Sequence, residues 1–389
     1  MKILHVISSM HPNSGGTSQA IRNIIPSLQK NDVENEVVCL DNSDLDYGAT
    51  DDFKIYKIGR GKTSYQYQSL LVKWLENNLL TYGAVIVHGI WQYPNYAVYR
   101  AISRLKTQNK LVPKVVIMPH GMLDPYFQKA TDRKWKALRN ELVWKATEQK
   151  AVNAADALFF TCEEELLLAQ TTFKGYDPKK EINVGFGIPH PPIRTVRMQT
   201  VFHEVLPSLK NNYWLFLSRI HPKKGIDLLI EAYSQLCLEH PILPELVIAG
   251  PTDSVYAQQM MTLAKNNPKI HFTGMLNGEA KWGAFYGCDT YLLPSHQENF
   301  GISIVEAMAC RKSVLISKNI NIWREIEAGN GGWVLDNLTV KAIEAQLVKI
   351  AKLDILELEL KDAQAYDTFE QKFSIEVCAA VFTKVIKEL

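Results

Sequence analysis

The sequence predicts an α/β protein built from two doubly wound domains, and three observations lead there. At 389 residues the chain exceeds what one hydrophobic core organises and suits two domains. Short apolar runs of strand length recur, among them Ile3 to Ser8, Val85 to His88, Lys114 to Met118 and Leu246 to Ala249, and each leads into a polar or glycine-bearing loop. That is the pattern of buried parallel strands whose carboxyl ends carry ligand loops. The third observation is the stretch Leu292 to Val314, LLPSHQENFGISIVEAMACRKSV. It ends an apolar run, breaks at Pro294, continues as a polar loop from Ser295 to Asn299, passes Phe300-Gly301 and enters a helix-forming segment from Ile302 to Ala309.

Bulk composition narrows the class. The chain is 47% hydrophobic and 22% charged, which supports a full core and a soluble surface. A net charge of +2 gives no global argument for nucleic acid as a partner. The six cysteines are scattered without a C-x-x-C pair, so buried thiols in a reducing compartment are expected, with neither a disulfide framework nor a metal site. The opening MKILHVIS reads as a first buried strand, too short for a signal peptide, and no apolar run has transmembrane length. A cytoplasmic location is expected.

Along the first half, the strand Ile3 to Ser8 leads through a loop holding Gly15 and Gly16 into a helix from about Ser18. The dinucleotide fingerprint G-x-G-x-x-G is absent there, which disfavours a nicotinamide oxidoreductase. The glycines fit a loop that needs unusual backbone angles, or one that a ligand approaches closely. Glu36 to Leu40 is a second strand, and Asp44-Leu45-Asp46 after it is too short a match to a metal-binding D-x-D to count. Val85 to His88 and Lys114 to Met118 run into His88-Gly89-Ile90-Trp91 and Pro119-His120-Gly121-Met122-Leu123-Asp124. A helix over 132–154 carries Arg133, Lys134, Lys136, Arg139, Lys145 and Lys150 together with Trp135 and Trp144. Such a helix can lie peripherally on an anionic membrane surface, or can be a solvated helix whose apolar stripe packs on its own domain. Ala157 to Thr161 is the last strand of this domain, and Val184 to Pro189 reads as the crossing to the next.

The second half has firmer punctuation. Residues 191–212 show no periodicity and are expected to be a linker. Trp214 to Leu217 opens the second domain, followed by Ser218-Arg219-Ile220-His221-Pro222-Lys223-Lys224-Gly225 and a helical segment. Cations at a helix start oppose the helix dipole, so a basic turn that merely caps this helix is an unattractive reading of Arg219 and Lys224. Leu246 to Gly250 is the next strand and turn, and His271-Phe272-Thr273-Gly274-Met275 follows one helix later. In the stretch from Leu292, unpaired amides near Gly301, Ile302 and Ser303 can receive a phosphate, and Glu298 and Glu306 bracket them. Two carboxylates around an anion-binding helix end suit a ligand that carries hydroxyls as well as phosphate, such as a nucleotide-sugar. Ser303-x-x-Glu306 also has the form of a capping box. Phe369 to Leu389 is a terminal helical pattern.

Taken together, PSxxENFGISIVEAMA with its two glutamates, the Arg219/Lys224 segment and PHGMLDP around His120 resemble the retaining GT-B glycosyltransferases of family 4, the last stretch resembling members that build bacterial surface polysaccharides. The resemblance is strong from about Tyr213 to Asp336 and looser before Val184; at the crossing itself, Phe186-Gly187 stands in place of the family's more usual Asn-Gly. It implies two Rossmann-like domains facing across a cleft. The first, 1–190, would lie on the acceptor side and be completed by the helix 370–389; the second, 213–369, would hold the donor.

By that resemblance, Arg219 and Lys224 stabilise a departing diphosphate, which two fixed cations can do without a metal. Gly15, Gly16, Gly250, Met275, Asn299, Phe300, Gly301 and Ile302 approach the donor, Glu306 holds the ribose hydroxyls, Glu298 contacts the sugar and His120 faces it. His120, Arg219, Lys224 and Glu298 are the expected catalytic set. The implied reaction moves a hexose, with UDP-glucose as the chosen donor, to a glycan or lipid-linked acceptor in envelope or exopolysaccharide synthesis. No cofactor, metal or nucleic acid is expected. A sugar-nucleotide epimerase of related fold and a non-catalytic nucleotide-sugar-binding protein remain the alternatives.

Overall fold

The computed structural model describes residues 1–48, 51–129, 134–240 and 242–389. The chain forms two compact units, one of Met1–Ile188 with Ile375–Leu389 and one of Pro189–Ser374. Both are doubly wound α/β units around a parallel sheet, as the sequence predicts.

The first unit has seven strands, β1 (Lys2–Val6), β2 (Glu34–Cys39), β3 (Lys54–Lys57), β4 (Ala84–His88), β5 (Lys114–Met118), β6 (Ala157–Phe160) and β7 (Glu181–Asn183). They lie in the order β3-β2-β1-β4-β5-β6-β7, so the winding reverses between β1 and β4. Alternate residues enter opposite cores because side chains on a strand alternate sides. Leu4, Val6, Val85, Val87 and Ile117 pack on one face. Ile3, Ala84, Ile86, Val116 and Phe159 pack on the other.

The terminal helix Ile375–Glu388 supplies Ala379, Phe382 and Ile386 to that second face. Phe382 meets Phe159 edge-on at 5.4 Å, a fully buried ring of the kind that contributes about 2 kcal/mol through burial. This helix is shorter than the 370–389 expected for it. Phe369–Phe373 forms a wide π-helical turn of the second unit, and Ser374 then adopts an extended conformation that breaks the helix.

The second unit has six strands, β8 (Tyr213–Leu217), β9 (Glu245–Ala249), β10 (Ile270–Gly274), β11 (Thr290–Leu293), β12 (Ser313–Ser317) and β13 (Gly332–Leu335). Their order is β10-β9-β8-β11-β12-β13, with the reversal between β8 and β11. Such a reversal opens a crevice at the strands' carboxyl ends.

Within residues 191–212, expected as a linker, the structure has one helix. The helix Val196–Val205 is capped by Thr195, whose side chain accepts from the Met198 amide, and it buries Met198 and Phe202. It lies so close to the helix Gly278–Gly287 that a Cβ at Gly283 would stand 2.0 Å from the Met198 carbonyl oxygen. Only two apolar residues, an i,i+4 pair, face inward, too few to raise a periodic signal.

The helix expected over 132–154 resolves into Lys134–Val143, a π-helical turn Trp144–Glu148 and Gln149–Ala154; Asp132 and Arg133 lie outside the described residues. Its two tryptophans part ways. Trp144 is fully buried and stacks on Phe173, whereas Trp135 is 85% exposed. The Asp44-Leu45-Asp46 loop is exposed. Among the described residues, no helix is long and apolar enough to cross a membrane.

Candidate donor site

The residues singled out in the second half of the sequence meet at the carboxyl ends of β8, β9 and β11, beside the reversal of strand order. After β8, His221 caps a short 3-10 turn, Pro222–Lys224, by accepting from the Lys223 amide at 3.1 Å. Gly225 follows with φ +64°, and a Cβ there would stand 2.0 Å from the Pro294 carbonyl oxygen, so only glycine lets the two loops touch. That contact delivers Lys224, 8% exposed, to Glu298, with which it forms an ion pair. Burial, with Arg219 and Lys223 close by, pulls the Lys224 ammonium down to about 8. Arg219 itself is exposed.

The loop after β11 is held rigidly. Ser295 Oγ and the His296 amide both donate to the Lys223 carbonyl oxygen at 2.7 Å. Ser317 Oγ donates to the Ser295 carbonyl at 2.5 Å. The Glu298 amide donates to Asn319 at 3.1 Å, and the Glu298 carbonyl accepts from the Asn321 amide at 3.0 Å. Asn299 Oδ1 accepts from Asn321 Nδ2 at 3.2 Å. Gly301 then takes φ +76° at the start of the helix Ile302–Ala309, whose first amides have no acceptor within the helix. Phe300 is buried with its ring edge-on to Phe373, so its side chain anchors the loop.

Glu306 is not part of a capping box. Ser303 Oγ pairs with the Tyr291 hydroxyl at 2.7 Å, and that hydroxyl also reaches the Leu217 carbonyl at 3.0 Å. The Glu306 carboxylate instead accepts from Lys281 Nζ at 2.6 Å. Burial raises the Glu306 pKa and Lys281 opposes the rise. The sequence did not single out Lys281, the cavity residue that pairs with Glu306; its only signal was a single cation in the otherwise uncharged KWGAFYG segment.

Arg219, Gly250, Met275, Lys281 and Glu306 line one cavity of about 200 Å³. At Gly250 a Cβ would lie 2.1 Å from the Ser218 carbonyl oxygen, while Met275 is 63% exposed at the cavity's rim. The arrangement offers cations to a diphosphate, a carboxylate to vicinal hydroxyls, and an apolar rim to a flat base.

The remaining singled-out residues lie in the first unit, also at strand ends. Gly15 has φ +104°, and Cβ atoms at Gly15 and Gly16 would meet open space. His120 has φ +52°, and its Nε2 lies 3.0 Å from His88 Nδ1. His88 Nε2 lies 2.9 Å from His5 Nδ1. The Thr161 amide and hydroxyl donate to Glu165, whose other carboxylate oxygen accepts from the Gly121 amide at 2.5 Å. A second cavity, of about 350 Å³, is lined by Tyr65, Trp91, Met122, Phe127 and Arg139, among others, near the ends of β4 and β5. Among the described residues, no group of His, Cys, Asp and Glu side chains could hold a metal ion.

Comparison with known proteins agrees with this geometry. Residues 198–366 match the family model described as Glycosyl transferases group 1. The chain is 24% identical over 179 residues to an uncharacterized glycosyltransferase of Methanocaldococcus jannaschii, covering 46% of this chain and 48% of that protein. It is 28% identical over 154 residues to the O-antigen chain mannosyltransferase B of Escherichia coli, covering 38% and 40%. The chain thus spans less than half the length of these curated relatives. The structure of Anabaena HepE in complex with UDP and glucose matches 100% of both chains with a TM-score of 0.72 at 17% identity, a likeness of fold. The group 1 match thus falls within the unit that carries the site, and the two doubly wound units share the fold of that solved structure over its whole length.

Proposed function

We propose that this chain is a retaining glycosyltransferase that moves a hexose, glucose foremost, from a UDP-sugar to a glycan or lipid-linked acceptor in envelope or exopolysaccharide synthesis. The observation that carries the reading is the convergence of Arg219, Lys224, Lys281, Glu298 and Glu306 around the strand reversal of the second unit. As the glycosidic bond breaks, negative charge builds on the leaving diphosphate. Arg219, Lys224 and the amides near Gly301 and Ile302 stabilise that charge, and the loops that carry Lys224 and Gly301 are already held by their contacts. No metal is required for this step. Glu298, released from Lys224 by the phosphate, turns to the sugar hydroxyls, and Glu306, released from Lys281, takes the ribose hydroxyls. Attack then proceeds on the face the diphosphate leaves, which retains the anomeric configuration.

The choice of UDP is supported by a fold neighbour solved with UDP and glucose. A mannosyl donor is the second reading, since one relative is named as a mannosyltransferase. The cavity beside Trp91 is the acceptor pocket in this reading. A membrane-borne acceptor is supported by the helix Lys134–Val143, where Trp135, Leu138 and Leu142 form an exposed apolar stripe beside Lys134 and Lys136.

Calorimetric titration with UDP-, GDP- and ADP-sugars in the presence of a chelator tests the donor site. Binding of one nucleotide family that weakens in Glu306→Ala is expected. Binding to none of them, or binding indifferent to Glu306, overturns the assignment. Isomerised donor in the absence of any acceptor would select an epimerase instead.

A further inference from the structure

Three histidines of the first unit, His5 in β1, His88 in β4 and His120 in the turn after β5, stand in a row whose direction is fixed at one end. The row begins at Asn35, which is 3% exposed. Its Nδ2 donates to the Val33 carbonyl oxygen at 2.7 Å. A carbonyl oxygen only accepts, so the amide nitrogen of Asn35 must face Val33 and Oδ1 must face the other way. Oδ1 lies 3.0 Å from His5 Nε2. His5 therefore carries its proton on Nε2, and a neutral imidazole has only one. His5 Nδ1 is then an acceptor, and its partner at 2.9 Å, His88 Nε2, must be the donor. By the same step His88 Nδ1 accepts, and His120 Nε2, 3.0 Å away, donates.

We infer that Asn35, His5 and His88 are positioning residues that hold His120 in its Nε2–H tautomer, leaving Nδ1 as a lone pair that can accept a hydrogen bond but not donate one. The rings support this geometry by stacking, with centroids 5.2 Å apart between His5 and His88 and 5.3 Å between His88 and His120. Burial lowers all three imidazole pKa values, His5 and His120 to about 4, so the row is neutral at pH 7. The backbone is held as well: His120 sits at φ +52°, and the next amide, Gly121, is bound by Glu165. Among the described residues, no protein group is hydrogen-bonded to His120 Nδ1.

An imidazole in bulk water exchanges between tautomers and can present either a donor or an acceptor. This one presents an acceptor only, which selects a ligand hydroxyl over a ligand carbonyl or phosphate oxygen. That the hydroxyl belongs to a sugar rests on the transferase reading; the relay does not.

Two-bond couplings from the ring carbon protons of 15N-histidine-labelled full-length protein distinguish the two tautomers from imidazolium. His120 is assigned by the loss of its signals in His120→Asn. At neutral pH, His5, His88 and His120 should each show a protonated Nε2 and a lone-pair Nδ1. Nδ1–H or imidazolium at His120 overturns the inference without any ligand present.

Asn35→Leu removes the anchor, and an Nδ1–H population of His120 should then appear. Where that variant does not fold, His88→Leu cuts the row at its middle with the same expectation. A folded variant whose His120 stays wholly Nε2–H refutes the positioning role. In glycosyl transfer or donor hydrolysis, turnover of the folded variant should fall roughly tenfold, the loss of about one hydrogen bond, while UDP affinity is unchanged. If the wild type binds no nucleotide-sugar, the transferase reading fails while the tautomer result stands.

Discussion

Replacing Glu306 by alanine tests the donor site most directly, because in the free protein its carboxylate is satisfied by Lys281 at 2.6 Å and not by solvent. On the proposed reading, binding a nucleotide exchanges that partner for two ribose hydroxyls. Each hydrogen bond to a charged acceptor contributes about 1.5 kcal/mol net, giving about 3 kcal/mol for the pair. The ion pair surrendered is partly exposed, with side chains 24% and 15% accessible, so its loss offsets about 1 kcal/mol. The difference of about 2 kcal/mol predicts UDP affinity roughly thirtyfold weaker in Glu306→Ala.

Titration of UDP and 2′-deoxy-UDP into both proteins completes a double-mutant cycle. Wild type should discriminate between the two ligands, and the variant should not. Glu306→Gln, which keeps one acceptor oxygen, should fall between. Equal binding of UDP and 2′-deoxy-UDP by the wild type, or full discrimination surviving in Glu306→Ala, would refute the ribose assignment. The glutamate would then be only the partner of Lys281.

Three further outcomes follow from the same geometry. Lysine is charged below its pKa, and Lys224 is lowered to about 8 from an ordinary value of 10.5, so UDP affinity measured by calorimetry should decline as pH rises through about 8; Lys224→Arg, which stays charged, should flatten that decline. Gly250→Ala would force a Cβ to 2.1 Å from the Ser218 carbonyl oxygen; a fall of about 2 kcal/mol in unfolding free energy and a loss of UDP binding are expected, and a fully stable variant would contradict the packing. Trp135→Ser with Leu138→Ser should weaken sedimentation with anionic phosphatidylglycerol vesicles, leave binding to neutral vesicles unaffected, and leave UDP affinity unchanged; equal pelleting of wild type and variant would exclude that stripe as a membrane contact.

The parts of this fold that were legible in the sequence are those enforced locally. β1, β4, β5, β9 and β11 are apolar runs buried on both faces, and such strands announce themselves without a partner. The loop from Ser295 to Gly301 announces itself too, because proline, glycine and a helix start leave few conformations. The helix Val196–Val205 was not legible, since its place depends on Gly283 of a helix more than seventy residues away. Nor was the division of labour between Trp135 and Trp144. Both sit in a basic helical stretch, and only the packing of Phe173 and the turn at Trp144–Glu148 sends one inward. Ser303 and Glu306 have the spacing of a capping box, but Tyr291 holds the serine and Lys281 the glutamate. A tertiary partner in each case outcompetes the local one.

The pairings Lys224–Glu298 and Lys281–Glu306 also bear on selectivity. Left alone, a half-buried carboxylate or ammonium is costly, and here each is paired with the other. A ligand must replace what it displaces. A bare diphosphate can take Lys224 from Glu298 but leaves that carboxylate facing nothing, and it offers Glu306 no hydroxyl. A nucleoside offers Glu306 its ribose but brings no charge for Lys224. Only a molecule with a ribose at one end, a sugar at the other and a diphosphate between them satisfies every group it releases. If the site takes a nucleotide-sugar as proposed, it discriminates against fragments of that donor as much as it attracts the whole, a specificity built from exchange of partners and not from contact area.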